Sequence, residues 1–262
     1  NKIKKTCLRA GASEELATKI VKQVERKVYD GISTREILKI TLSLLRKEMP
    51  QVATRYDLKG ALFRLGPAGF AFEHLVAEIL REYNYKTKVH SYVKGACVKH
   101  EIDIVAEKPS RTPKYFMIEC KYHNMPGIYT GLKEVLYTYA RFLDLWEGFR
   151  KRKCQKFDQA WLVCNTKFSR DAIQYASCKK ILILGWKYPY RKSLEKMIED
   201  KKLYPITMLR KLDRNTQDKF ALSGLILCKD LLRHDINKLN KKTNVPKTKL
   251  KLLTEEADKL LS

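Results

Sequence analysis

The 262-residue chain lacks any long hydrophobic run. Its longest nearly pure apolar segment is ILILGW, at residues 181–186. A membrane-spanning helix needs about 20 apolar residues, so the sequence predicts no such helix. The first residues, NKIKKTCLRAG, are basic and lack the apolar centre of a signal peptide. We therefore expect a cytoplasmic protein with no membrane partner.

Paired cysteine motifs are absent as well. The chain has seven cysteines, and no two of them form a CxxC pair. Several lie inside apolar segments such as MIECKY and WLVCNT, which is typical of small core residues. This pattern argues against a zinc site or a disulfide framework and favours a reduced, intracellular protein.

Acidic residues are scarce relative to basic ones. The chain carries 54 Lys and Arg against 29 Asp and Glu, a formal net charge of +25. The excess is spread along the whole sequence rather than confined to a tail. Such a balance predicts a polyanionic partner, most often nucleic acid, with an acidic membrane surface as the lesser option. A general bias toward lysine is the alternative explanation.

Hydrophobic periodicity predicts three domains, at residues 1–66, 67–188 and 189–262. The first is helical, with helix starts at the capping residues Ser13 and Ser33, a third helix over 51–65, and a boundary at GPAG, residues 66–69. The last is also helical. In the middle domain the predicted elements are a helix (70–85), three strands (86–93, 97–106 and 114–123), a long helix (131–149), a strand (159–166), a helix (169–177) and a strand (179–186). This order predicts an α/β (α+β) fold with a mixed sheet.

Charged residues interrupt two of these strands in the segment HEIDIVAEKPSRTPKYFMIECKYH, residues 100–123. Side chains alternate along a strand, and a hairpin turn centred near Arg111 would place Asp103 beside Glu119 on one face. Two adjacent carboxylates repel unless a cation lies between them, and Mg²⁺ takes oxygen ligands of this kind. Lys121, on the same face, could polarise a phosphate. A solvated face on which Lys121 merely neutralises Glu119 is the alternative.

The same residues resemble the PD-(D/E)XK nuclease motif of Mrr-like restriction endonucleases and archaeal-type Holliday junction resolvases. The segment GPAGFAFEHLVAEIL looks like the helix that opens this core, and the resemblance covers residues 67–188. It implies a restriction endonuclease-like fold in which Asp103, Glu119 and Glu73 hold Mg²⁺ or Mn²⁺ and Lys121 is the catalytic lysine. Ile102 stands where the family's motif usually has proline.

Two further resemblances concern the flanking domains. CLRAGAS and YDGISTREI resemble the ATP-cone of ribonucleotide reductases, without the strands that open that module. This implies ATP or dATP binding, with Lys2, Lys4 and Lys5 as phosphate contacts; a plain helical scaffold or dimerisation module is the alternative. LSGLILCKDLL and NVPKTKLKLL resemble a helix-hairpin-helix unit, which implies DNA backbone contacts by Lys247 and Lys249, or a protein-binding variant of that unit.

The sequence thus predicts a metal-dependent DNA endonuclease that is dimeric if it cuts both strands, and the ATP-cone resemblance implies nucleotide control. The alternatives are a non-catalytic DNA-binding or nucleotide-sensing protein on the same fold, or a structure-selective junction resolvase. Side chains that carry a weaker prediction of DNA contact are Arg150, Lys151, Arg152, Lys167 and Ser169. Glu101 and His123 are minor candidates at the acidic hairpin, and His100 is expected to be structural.

Overall fold

The computed structural model describes residues 2–66 and 69–262, so Pro67 and Ala68 of the predicted GPAG boundary lie outside the described residues. The chain groups into two compact units: Asn1–Ala61 with Ile206–Lys219 and Cys228–Ser262, and Leu62–Pro205 with Phe220–Leu227. This grouping joins the first and last helical segments, whereas the sequence divides them into separate domains. The three-domain division stays a prediction.

The helices are α1 (Lys2–Arg9), α2 (Glu14–Glu25), α3 (Thr34–Glu48), α4 (Pro50–Tyr56), α5 (Leu58–Phe63), α6 (Phe70–Glu82), α7 (Leu132–Arg150), α8 (Arg170–Cys178), α9 (Leu194–Asp200), α10 (Arg214–Leu222), α11 (Cys228–Leu232), α12 (Ile236–Thr243) and α13 (Lys247–Leu261). The strands are β1 (Lys86–Lys94), β2 (Lys99–Lys108), β3 (Lys114–Lys121), β4 (Tyr129–Thr130), β5 (Gln159–Cys164), β6 (Lys167–Phe168) and β7 (Leu182–Leu184). Among the described residues, no helix combines the length and apolar character needed to cross a bilayer. All seven cysteines are free thiols.

The first unit begins with the helices that the sequence predicts. Ser13 caps α2 by accepting a hydrogen bond from the Leu16 N–H, and Ser33 caps α3 by accepting one from the Glu36 N–H. The prediction of one helix over residues 51–65 is wrong, because the chain forms two short helices, α4 and α5. The helical backbone is interrupted at Asp57, with φ −88° and ψ 18°; Asp is a weak helix former in such a position.

The second unit is built on a five-stranded mixed sheet with strand order β1-β2-β3-β5-β7. The first three strands are antiparallel, and β3, β5 and β7 run parallel. Helix α6 packs on β1 and β2, while α7 and α8 pack on β5 and β7 respectively. The predicted mixed-sheet fold is confirmed. The sequence missed a second small sheet, in which β4 pairs parallel with β6.

The register of the acidic hairpin agrees with the prediction. Ile104 pairs with Ile118 and Val105 with Met117, as a turn centred near Arg111 requires. Directly paired residues project to the same face of a sheet. The next positions outward, Asp103 and Glu119, therefore lie side by side.

We expect the core of the second unit to be sensitive to cavities. Leu162 on β5 is fully buried, whereas Leu222 at the end of α10 is 88% exposed. Leu162→Ala should lower the free energy of unfolding by about 2–5 kcal/mol, because it removes buried methyl groups and leaves a void. Leu222→Ala, the same change at an exposed position, should stay within about 0.5 kcal/mol. Urea unfolding at constant m-value measures both, and equal losses would contradict the assigned core.

Candidate active site

The carboxylate of Asp103 lies where strands β2 and β3 stop pairing. The ladder between them ends at Ile104 and Ile118, and beyond it the Cys120 N–H donates to Asp103 Oδ2 at 2.7 Å. The Asp103 carboxylate thus accepts the N–H that the next backbone hydrogen bond of the ladder would have used. Burial raises the pKa of Asp103, against the lowering effect of this hydrogen bond and of the Arg141 charge.

Glu119 on β3 is held by an arginine that the sequence analysis missed. Arg141 Nη1, from α7, lies 2.6 Å from Glu119 Oε2 and donates to the Glu101 carbonyl oxygen at 2.7 Å. The arginine side chain is only 12% exposed, and its guanidinium lies over the Tyr137 ring, 4.6 Å from the centroid. The one available signal was a lone basic residue within the apolar part of a predicted helix.

Glu73 lies in the first turn of α6, beside a histidine that the sequence also did not single out. Glu73 Oε2 is 3.3 Å from His90 Nε2, yet both atoms are buried without a hydrogen-bond partner among the described residues. His90 stacks on Phe70, with ring centroids 5.0 Å apart. Its φ of +49° is rare for a residue other than glycine. His90 lies between Val89 and Ser91, which pair with the two neighbours of Asp103. Strained backbone of this kind clusters at functional sites.

The acidic side chains shift each other's titration. Burial, then the charge of Asp103, raises the pKa of Glu119 to about 7, against the opposing charges of Arg141 and Lys121. Burial, then Asp103, likewise raises the pKa of Glu73 to about 7. Two carboxyls with pKa values this high indicate a site with too little positive charge for its carboxylates.

Lys121 ends β3 with an exposed side chain. Within the described part of the chain, its ammonium makes no hydrogen bond or ion pair, in contrast to Arg141. The charges of Glu73, Asp103 and Lys121 all act on Glu119, so the four residues that the sequence pointed to are near neighbours in the fold. Lys121 is the cation of this group that is available to a ligand.

A divalent cation fits this donor set by its chemistry. Three carboxylates supply the oxygen ligands that Mg²⁺ and Mn²⁺ prefer, and Glu73 Oε2 is a buried acceptor that finds no donor among the described residues. Across residues 2–66 and 69–262, however, no three His, Cys, Asp or Glu side chains converge closely enough to hold a metal. The Arg141 guanidinium holds Glu119 Oε2, so a cation bound there would share that carboxylate with the arginine.

The minor candidates at the acidic hairpin have structural partners. Glu101 has an exposed carboxylate, 3.7 Å from His90 Nδ1. His100 Nε2 lies 2.7 Å from Asp144 Oδ2. The His123 Nε2 atom is 3.0 Å from Thr130 Oγ1, and burial lowers the pKa of this imidazole.

The predicted DNA contacts of the second unit lie on β6, at the end of α7 and at the start of α8. Ser169 caps α8 through the Ala172 N–H, and Lys167 is exposed on β6. Arg150 lies over the Trp146 ring at 5.0 Å; Lys151 is 3.9 Å from Glu147, and Arg152 has a φ of +57°.

The lysines predicted in the flanking domains are on the first unit. Lys247 is exposed at the start of α13, while Lys249 forms an ion pair with Asp213 at 2.9 Å. Near the N-terminus, Lys4 pairs with Glu14 at 2.6 Å, and Lys2 and Lys5 are exposed on α1. The ATP-cone and helix-hairpin-helix assignments stay predictions.

Two family models match the chain. The one described as restriction endonuclease, Mrr_cat, covers residues 67–185, and the one described as AF1548-like, C-terminal, covers residues 204–261. An uncharacterized protein of Archaeoglobus fulgidus is 44% identical over 164 residues, which is 63% of this chain and 87% of that protein. The chain belongs to the AF1548-like family.

A solved structure agrees with this assignment. The crystal structure of the protein of unknown function AF1548 is 40% identical, with a TM-score of 0.64 over 74% of this chain and 98% of that one. MspJI restriction endonuclease in complex with a 27-mer oligonucleotide is more distant, at 13% identity and a TM-score of 0.40 over 66% of this chain and 36% of that one. The match of the restriction endonuclease family model over residues 67–185 identifies a restriction endonuclease-like domain, as the sequence predicts.

The raised pKa of Glu73 predicts a pH-dependent stability in metal-free buffer. Its carboxyl has a pKa of about 7 in the fold against 4.5 for the ordinary group, so the folded state holds a proton that the unfolded state has already released. This contribution is fully present below pH 4.5 and is lost as the pH rises to about 7. Glu73→Gln removes the titrating carboxyl. Compared with the difference between the two proteins at pH 4.5, the variant should therefore gain up to about 3 kcal/mol of stability over wild type at pH 8.

Urea unfolding between pH 4.5 and 8 measures this effect. Glu147→Gln, at a carboxylate that is 53% exposed, is the matched control and should keep the wild-type pH profile. A wild-type profile for Glu73→Gln would contradict the raised pKa.

Proposed function

We propose that this protein is a metal-dependent DNA endonuclease that hydrolyses phosphodiester bonds. The observation that carries the proposal is that crowded, half-buried carboxylates lie near the exposed Lys121 on a restriction endonuclease-like domain. A structural cluster would be expected to neutralise its own charges. Here two carboxyls keep pKa values of about 7, which supports a site built for a cation that comes from outside.

In this proposal Asp103, Glu119 and Glu73 hold Mg²⁺ or Mn²⁺. Such a cation acts as a Lewis acid toward phosphate oxygens and stabilises the charge that develops on them. The Cys120 N–H orients the Asp103 carboxylate from one side. The exposed ammonium of Lys121 binds the phosphate and stabilises the same developing charge.

DNA is the partner that best matches the charge of the chain. The net charge of +25 supports a polyanionic substrate, with a strong dependence of binding on salt. Exposed cations on the same unit, Lys167 and Arg150, are proposed to contact the backbone beside the cleaved position. Regulation by ATP or dATP, homodimer formation and a cytoplasmic location remain parts of the proposal that derive from the sequence alone.

Cleavage by the purified protein tests the proposal. Wild type should nick supercoiled plasmid with Mg²⁺ or Mn²⁺ and be inactive with EDTA. Lys121→Ala should slow nicking by about 10²-fold or more, because it removes a charge that stabilises the transition state, and Asp103→Asn should do the same by removing a metal ligand. Lys133→Ala, at an exposed lysine of α7, is the control and should nick at the wild-type rate. Equal rates for Lys121→Ala and wild type would refute the assigned role.

Arg141 should oppose cation binding because it holds Glu119. Arg141→Gln frees that carboxylate and removes a positive charge, so it should strengthen Ca²⁺ binding roughly tenfold or more, since a unit charge a few ångströms away is worth several kcal/mol at moderate dielectric. Isothermal titration calorimetry on the folded variant measures this without catalysis. Arg150→Gln, on the same helix, should bind Ca²⁺ as wild type does. Unchanged or weaker binding by Arg141→Gln would show that the arginine supports the site rather than competing with the cation.

A further inference from the structure

The segment that follows the catalytic strand exposes apolar side chains to solvent. This apolar loop, residues 124–130 with sequence NMPGIYT, begins three residues after Lys121. Met125 is 59% exposed, Ile128 40% and Tyr129 56%. Isolated apolar residues on a surface are common, but three within five positions form a patch, and apolar patches of this kind mark interaction sites.

A turn at the centre of the loop projects the patch outward. Pro126 and Gly127 occupy the centre of a turn, and Gly127 has a φ of +90°. Proline followed by a residue with positive φ is the pattern of a type II turn. Met125 and Ile128 flank these two residues, so the turn presents an apolar side chain on each side of its tip.

The base of the loop is firmly held. His123 at one end and Thr130 at the other are joined by their side chains at 3.0 Å. The buried Asn165 accepts from the His123 N–H and donates to the His123 carbonyl oxygen, at 2.9 and 2.7 Å. The Ser169 N–H donates to the Thr130 carbonyl oxygen. The two ends of the loop are therefore fixed relative to each other, which limits the conformations that its tip must lose on binding a partner.

Positive charge accompanies the apolar tip. Lys121 precedes the loop with an exposed side chain. Lys167 pairs with Tyr129 in the small sheet, and its Nζ lies 5.9 Å from the centre of the Tyr129 ring. Proteins that bind single-stranded nucleic acid combine aromatic rings with lysines in this way. The bases stack on the rings, and the phosphates contact the cations.

We infer that the apolar loop contacts unpaired bases of the DNA held at the active site. This inference rests on the proposed function and narrows its substrate class to DNA with an unpaired or mismatched base beside the cleaved phosphate. Apolar side chains such as Met and Ile enter DNA between bases and unstack them. Unstacking a paired base costs free energy, and a base that is already unpaired spares that cost. A neutral protein partner or a second copy of the chain would gain little from the flanking lysines.

Binding without catalysis tests the inference. The full chain in EDTA is titrated into a labelled duplex, fully paired in one case and carrying one mismatched 2-aminopurine in the other, and anisotropy gives the affinity. Wild type should prefer the mismatched duplex by about tenfold and raise the 2-aminopurine fluorescence as the base unstacks. The double variant Met125→Ser, Ile128→Ser should bind both duplexes with the wild-type affinity for the paired one, and leave the fluorescence unchanged.

Val98→Ser is the matched control. Val98 is 57% exposed on the same unit, close to the value for Met125, and its substitution should keep the mismatch preference. A preference that survives in the double variant, or equal binding of both duplexes by wild type, overturns the inference and leaves the proposed nuclease intact. Failure of wild type to bind any DNA both in EDTA and with Ca²⁺ in place of Mg²⁺ refutes the proposed function itself. Light scattering on wild type and the double variant adds a check: a drop in mass for the variant would assign the loop to self-association and overturn the inference.

Discussion

Like charges crowded together in a half-buried site are the constraint on which the second unit of this chain depends. Glu73, Asp103 and Glu119 come from a helix and two strands, and burial penalises the ionised form of each. Folding brings them together only because the apolar core beneath the sheet repays the cost. Ile102, Ile104 and Ile118 are fully buried on these same strands, so each strand couples a charged position to apolar anchors on its other face.

The long helix α7 is the second part of this arrangement. It packs against the sheet and carries Arg141 to Glu119 and to the Glu101 carbonyl oxygen, thereby joining two neighbouring strands at the point where they separate. One guanidinium fork can serve a carboxylate and a carbonyl at once because its donors diverge in a plane. Any movement of α7 would therefore be felt at Glu119.

Strand alternation and a short turn sufficed to predict the neighbours Asp103 and Glu119, because both are local consequences of a period of two. The contact of Arg141 with Glu119 could not be predicted from the sequence, because it depends on how α7 crosses the sheet. His90 was missed for another reason: its left-handed backbone has no sequence signature, as nothing in KTKVHSYV departs from an ordinary strand. The helix break at Asp57 was not predicted because helical periodicity continues across it. The paired strands β4 and β6 were not predicted because they are too short to show alternation.

Asn165 shows how the chain leaves the sheet after Lys121. Its primary amide presents one acceptor and one donor to the two backbone groups of His123, so it imitates the peptide unit of a neighbouring strand at the place where that strand has ended. The parallel ladder of β3 and β5 is thereby prolonged by a side chain. Because Asn165 is fully buried, solvent does not reach the two His123 backbone groups to replace a lost hydrogen bond. Aspartate would turn an acceptor toward the His123 carbonyl, and leucine would leave both groups unmet, so the position admits an amide and little else.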